Sequence, residues 1–202
     1  MPQYRRSRIE GGTYFFTVVT FERRRILTTE ESRTLLRSAW LDVCQRFPFK
    51  TIAICLLPEH IHCIWSLPEG DANYSVRWKE IKRLFSKGWS QANQKMCVGN
   101  ETHGSGALGT HPTNEEIRSD SRLKRGEAAI WQRRFWEHTI RDQDDLNRHI
   151  DYIHYNPLKH GLIDRVVDWP WSSFHRYVSA GNYEIDWGDL AAPNVIEMVC
   201  GE

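Results

Sequence analysis

Residues 13–21, TYFFTVVTF, are aromatic or β-branched on both alternating faces, and this run constrains the fold more than any other feature. A strand without a polar face must be covered on both sides, so it belongs in the middle of a layered domain. With 202 residues the chain can bury one sizeable core but not two comfortable ones, and a single domain over residues 1–202 is expected. The longest apolar run, residues 52–57, is far too short to cross a bilayer, and the N-terminal MPQYRRSRIEGG has basic residues with no apolar stretch behind them. The expectation is a cytoplasmic protein with no membrane partner. Five cysteines without a C-x-x-C pair offer neither a disulfide framework nor a zinc knuckle, which suits a reducing compartment.

The elements after the first strand follow from periodicity and punctuation. Thr28 with Glu31 fits a capping box, and Leu35, Leu36, Ala39, Trp40, Val43, Cys44 and Phe47 repeat at helical spacing until Pro48. Residues 50–57 and 60–67 read as strands separated only by Pro58-Glu59, close enough to pair antiparallel. A second helix is expected over 75–89, with Trp78, Ile81, Leu84 and Phe85 as its apolar face. Residues 96–128 are rich in Gly, Ser, Thr, Asn and charge without a sustained period, and read as a mobile insertion. Pattern returns over 131–141, where Phe135, Glu137 and Thr139 alternate with Trp136, His138 and Ile140 as in a half-buried strand. Asp142 or Asp145 can cap a third helix that ends near Asn156, because Pro157 disfavours helical geometry in the residue before it. Gly161 fits the reversal that follows. The order β-α-β-β-α-β predicts an α+β, ferredoxin-like antiparallel sheet with helices on one face and a C-terminal helical extension.

Two patterns carry chemistry. In His60-Ile61-His62 the imidazoles are separated by one residue, so on a strand they share a face and come within reach of one divalent ion. Ile61, Cys63 and Trp65 point the other way, while Glu59 is expected on the face opposite the histidines. Strands often carry a polar face, so the pair alone is equally compatible with a structural use. On the third helix His149, Tyr152 and Asn156 form one stripe, and Leu146, Ile150 and Ile153 form another about a quarter turn away. The polar stripe therefore borders the buried face, although a Y-x-x-x-N pair is structural in most proteins. Phenol has a pKa near 10, so attack by Tyr152 on phosphorus at neutral pH needs a nearby cation or base. An ion held by His60, His62 and Asn156 would meet that need and polarise the phosphate as well. His149 and His154 read as surface or capping residues rather than proton carriers.

A formal charge of +1 is low for a protein that handles nucleic acid, so such a role would rest on local clusters. Tyr4, Arg5 and Arg6 near the N-terminus, and Arg133 and Arg134 among Trp131, Phe135 and Trp136, are the candidate DNA contacts. The alternatives are a solvated surface for the arginines and core packing for the rings.

The order L-P-E-H-I-H-C-I-W-S-L-P-E-G, F-W-E-H-T-I-R, D-Y-I-H-Y-N-P-L-K-H-G and D-W-P-W-S-S-F-H-R-Y resembles the REP-associated tyrosine transposases, bacterial relatives of the single-tyrosine HUH transposases of small insertion sequences. The resemblance covers nearly the whole chain. It implies Tyr152 as nucleophile, His60 and His62 as metal ligands, Asn156 as a further ligand, and Mg2+ or Mn2+ as cofactor. The implied partner is single-stranded DNA bearing a foldback hairpin from repetitive extragenic palindromic (REP) elements, cut through a covalent 5′-phosphotyrosine. Three other readings stand beside it: a hairpin-binding regulator with vestigial catalysis, a replication-initiator or relaxase-type HUH nuclease, and a metal-dependent hydrolase of small molecules, which would want a carboxylate base near the histidines where Glu59 is expected to point to the opposite face. A monomer is the favoured state, with a dimer exchanging the tyrosine helix as the alternative.

Overall fold

The computed structural model describes residues 7–98 and 130–189. In chain order these form β1 (Thr13–Val19), α1 (Glu30–Arg46), β2 (Lys50–Leu56), β3 (His60–Ser66), α2 (Tyr74–Val98), β4 (Trp136–Thr139), α3 (Gln143–Lys159) and α4 (Phe174–Ser179). The strands form one sheet in the order β2-β3-β1-β4, with every neighbouring pair antiparallel. This is the ferredoxin-like order expected from the sequence, and the doubly apolar β1 lies in its interior.

Alternation along the inner strands divides the core in two. Tyr14, Phe16, Val18, Ile61, Cys63 and Trp65 pack with Leu36 and Val43 of α1 and with Trp78, Ile81 and Phe85 of α2. Phe15, Ala53, Cys55 and Ile64 point the other way, against Ile150, Tyr152 and Ile153 of α3. Thus α1 and α2 share one face, and the helix bearing Tyr152 covers the other. Much of the aromatic content is spent on packing: Trp65 stacks on Trp78 at 4.4 Å between ring centroids, with Trp40 edge-on to both. The rings of Trp131 and Phe135 also belong to this first core, which leaves Arg133 and Arg134 exposed between them.

Several boundaries differ from the sequence expectation. The cap of α1 is Thr29, whose side chain accepts from the Ser32 amide, instead of Thr28 with Glu31. Helix α2 continues to Val98, so residues 96–98 are helical and the expected insertion does not begin at 96. Residues 99–129, with most of that insertion, lie outside the described residues, as do Tyr4, Arg5 and Arg6. Asp142 caps α3 by accepting from the Asp145 amide, and the helix passes through Pro157 to Lys159. A proline only two residues from the helix end removes one hydrogen bond and leaves the last turn to be closed by the His160 amide on the Asn156 carbonyl. Gly161 then turns the chain at φ +62°. No helix among the described residues is long and apolar enough to cross a membrane.

Arg77 ties the start of α2 to the turn before β2. It is 2% exposed, donates to the carbonyls of Phe47, Asn73 and Pro48, and pairs with Asp71 at 2.7 Å. Arg77→Ala removes the side-chain donor to three carbonyls and the buried partner of Asp71 at once, and is expected to lower unfolding stability by about 3 kcal/mol, read from denaturant melts.

Candidate active site

The turn Pro58-Glu59 joins β2 to β3 and is pinned from both sides. The Leu57 amide donates to the His60 carbonyl, Thr20 donates its amide to the Glu59 carbonyl, and Leu27 donates to that of Pro58. His60 and His62 follow on β3 and, as expected, share a face, with their Nε2 atoms 3.1 Å apart. Both rings are buried. The other ring nitrogens face polar neighbours: His62 Nδ1 is hydrogen-bonded with Thr17 Oγ1 at 3.0 Å, and His60 Nδ1 lies at ion-pair distance, 3.3 Å, from Glu59 Oε1. If those partners accept the Nδ1 protons, both Nε2 lone pairs converge on one point. Neighbouring ligands on a small octahedral ion with bonds of about 2.1 Å stand about 3.0 Å apart, so the pair fits such a cation.

The position of Glu59 corrects the sequence reading. It was expected opposite the histidines, but strand alternation does not extend into a turn, and its carboxylate folds back to His60. The His60 contact lowers the Glu59 pKa despite the opposing effect of burial, with His160 and Arg25 adding to the lowering.

Tyr152 is 1% exposed, its ring edge-on to His62 at 5.3 Å and to Phe15 at 5.9 Å. One turn past Asn156 on the same stripe, His160 meets His60 at 5.4 Å between ring centroids. Asn156 is four residues from each, so the helix carries this fully buried side chain between the two contacts. Lys159 closes the other side of the tyrosine, with Nζ 3.4 Å from the hydroxyl and 4.9 Å from the ring centroid. Sequence reasoning missed Glu59, Thr17, Lys159 and His160. Lys159 and His160 had a signal in their spacing from Tyr152 and Asn156, hidden by the expectation that Pro157 ends the helix.

His149 and His154 are not surface residues. His149 is 3% exposed, and burial holds its pKa below the ordinary imidazole value. Its Nδ1 lies 2.8 Å from the Asp145 carbonyl, which can only accept, so that nitrogen carries the proton. His154 faces away from Tyr152, against Phe174, Tyr177 and Tyr183, with Nε2 2.9 Å from Ser173 Oγ. Burial first, then the charge of Arg176, pushes its pKa down to about 3.

A second group, His138, Asp145 and His149, brings ligating atoms within 4.8 Å of one another. Asp145 Oδ2 accepts from His138 Nε2 at 2.8 Å and from the Arg141 amide and Nε at 3.0 and 3.2 Å. The carboxylate thus clamps the first turn of α3 to β4. Burial raises the Asp145 pKa, but the His138 and Arg141 hydrogen bonds together outweigh it and hold it well below the usual range. A carboxyl group depressed in the folded state contributes fully above its unfolded pKa of about 3.9 and loses that contribution as pH falls through the folded value. Asp145→Asn is therefore expected to cost about 3 kcal/mol at neutral pH, with the difference from the parent shrinking below about pH 4 in melts taken across pH.

The sheet gathers basic groups at the histidine end. The 3-10 turn Phe21–Arg23 leads into Arg24 and Arg25 directly after β1, and Arg23 lies 4.0 Å from Glu59. The segment with Arg133 and Arg134 begins at Trp131, which bridges Thr20, and enters β4 at Trp136 opposite Thr17. Helix α3 delivers Lys159 and His160 to the same end.

Two histidines converging from one strand of a ferredoxin-like sheet, with a helix-borne tyrosine against one of them, make the arrangement expected of an HUH-type tyrosine nuclease, and the comparisons with known proteins place the chain among the transposases of that type. The chain is 43% identical over 202 residues to the REP-associated tyrosine transposase of Escherichia coli K12, covering 100% of this chain and 98% of that one. A Haemophilus influenzae protein assigned to the same family is 42% identical over 188 residues, covering 93% of this chain and 94% of its own. The solved structure of a REP-associated tyrosine transposase bound to a REP hairpin superposes with a TM-score of 0.73 at 40% identity, over 100% of this chain and 98% of that one. No family model matches the chain. On this likeness, the chain belongs to the REP-associated tyrosine transposases.

Proposed function

We propose that this transposase cuts and rejoins single-stranded DNA beside a REP-type hairpin through a covalent bond to Tyr152. The observation that carries the proposal is the contact of the Tyr152 ring with His62, at 5.3 Å, beside a histidine pair whose Nε2 atoms stand 3.1 Å apart. His60, His62 and Asn156 would hold one Mg2+ or Mn2+, which when bound supplies Lewis-acid polarisation of the scissile phosphate. Thr17 and Glu59 orient the histidine rings. The Lys159 ammonium, 3.4 Å from the Tyr152 hydroxyl, would offset the charge that develops on the phenolic oxygen during attack.

In cleavage the Tyr152 oxygen bonds to phosphorus and the bond from phosphorus to the upstream 3′ oxygen breaks. The phenolic proton passes through solvent to the departing oxygen, leaving a free 3′ hydroxyl and a 5′-phosphotyrosine. One phosphodiester is exchanged for another, so an incoming 3′ hydroxyl can reverse the step on a new strand. The arginines at the histidine end, including Arg133 and Arg134, would neutralise strand phosphates. Tyr152 packs against His62 of its own chain, which supports an active monomer over a dimer that exchanges the helix.

A phosphate held in line with a tyrosine on a rigid helix needs a backbone free of duplex stacking. Cutting is therefore expected on a single strand adjoining a hairpin, and at least about tenfold less on the same sequence as a perfect duplex at equal metal and salt. Equal cutting of both, read on a denaturing gel with end-labelled oligonucleotides, would contradict the hairpin reading.

A further inference from the structure

A groove of about 750 Å³ runs along the edge strand β2 on the α1 side, outside the catalytic set. Its walls are α1 and the segment over residues 170–176, which lies along β2 through the Leu56 amide on the Trp171 carbonyl and the Ser173 amide on that of Ile54. Arg33, Arg37 and Arg176 line it, and Glu30 is the one carboxylate among the described lining residues. The Arg33 guanidinium lies 4.9 Å over the partly exposed ring of Trp171, and Arg176 donates to the Ile52 carbonyl. Arg37 is exposed, and its side chain makes no hydrogen bond or ion pair among the described residues. Ile54 forms part of the lining, and Leu41, 55% exposed, lies at the rim.

We infer that this groove is a second DNA site, which holds one or two unpaired nucleotides of the strand flanking the hairpin. Every cation in its lining is a guanidinium, whose planar fork matches phosphate oxygens. A partly exposed ring with an arginine over it, beside exposed aliphatic surface, suits a base face without selecting its edge. The volume falls within the ~300–1,000 Å³ of ligand-sized sites. Continuity supports a strand in particular: Leu56 lines the groove, and the next residues form the Leu57–His60 turn that carries the histidines. The side chains of Ile54 and Leu56 belong to the α1 face and Tyr152 to the other, so a strand in the groove rounds the sheet edge to reach the tyrosine. The inference rests on the reading of the protein as a single-strand transferase, and it adds where the uncut flank is held.

The test is fluorescence anisotropy of the full chain with two labelled probes, a blunt hairpin and the same hairpin with a single-stranded flank. The parent is expected to bind the flanked probe more tightly. Arg37→Glu is expected to weaken binding of the flanked probe about tenfold, to flatten its salt dependence, and to leave the blunt hairpin within about twofold. Arg37 is exposed, so an unchanged melting temperature separates this loss from misfolding. As a second readout, 5-iodouracil in the flank is expected to cross-link to Trp171, located by peptide mass. Equal affinity of Arg37→Glu and parent for the flanked probe, or cross-linking confined to the α3 face, would overturn the groove while leaving Tyr152 chemistry intact. A change in oligomeric state with Arg37→Glu would assign the groove to a second copy and also overturn it. A parent that binds neither probe would remove both the groove and the transferase reading.

Discussion

Tyr152→Phe is expected to abolish covalent attachment to DNA, a loss of roughly 10^4-fold or more in cleavage, while hairpin affinity stays near that of the parent. The substitution removes one oxygen and keeps the ring that packs edge-on against Phe15 and His62 in the second core. The contact from Lys159 to the hydroxyl, at 3.4 Å, goes with it. The fold should therefore survive, and the readout is a denaturation-resistant band formed with a labelled oligonucleotide. A persistent adduct would point to another nucleophile. Tyr155 is the nearest rival in sequence, but its ring turns toward Trp187, at 6.5 Å between centroids, and Gly188.

Removal of the histidine pair is expected to be nearly as severe. His60→Ala or His62→Ala should lower cleavage about 10^3-fold, and a chelator should do the same reversibly, since a polarising charge at the phosphate accounts for losses of that order. Asn156→Ala should act more mildly, because water can replace an amide oxygen. Glu59→Gln should fall between, about 10- to 100-fold, the usual effect of loosening a group that orients a ligand. His62 is fully buried, so its alanine variant also opens a cavity; chelation of the unaltered protein is the control that separates lost chemistry from lost packing. Unchanged cleavage in excess chelator would reject the metal mechanism.

The parts of this molecule legible in the sequence are those in which one period dominates. The doubly apolar TYFFTVVTF run fixed β1 as an interior strand, and the two-residue spacing of His60 and His62 put both rings on one face. The stripe of Tyr152 and Asn156 was readable because a helix repeats its faces whatever it packs against. Less legible were features that depend on a boundary. Glu59 lies in a turn, where strand alternation no longer decides direction, and it reaches His60. Pro157 looked like a stop, yet a proline in a last turn removes so little that the helix carries Lys159 and His160 to the site. His149 and His154 read as surface or capping residues, but each is buried beside a specific partner, the Asp145 carbonyl and Ser173. Aromatic residues beside arginines are ambiguous for the same reason, and Trp131 and Phe135 pack in the core while Arg133 and Arg134 between them are exposed.

The central claim is that Tyr152 takes the 5′ side of the cut strand. The most direct measurement is to trap the adduct with a hairpin oligonucleotide labelled at both ends, digest protein and DNA, and sequence the modified peptide by mass spectrometry. One modified peptide is expected, with Tyr152 esterified through the 5′ phosphate of the downstream fragment, and an upstream fragment ending in a free 3′ hydroxyl. A nucleotide on any other residue, a linkage through the 3′ side, or cut ends with no linked protein would contradict it.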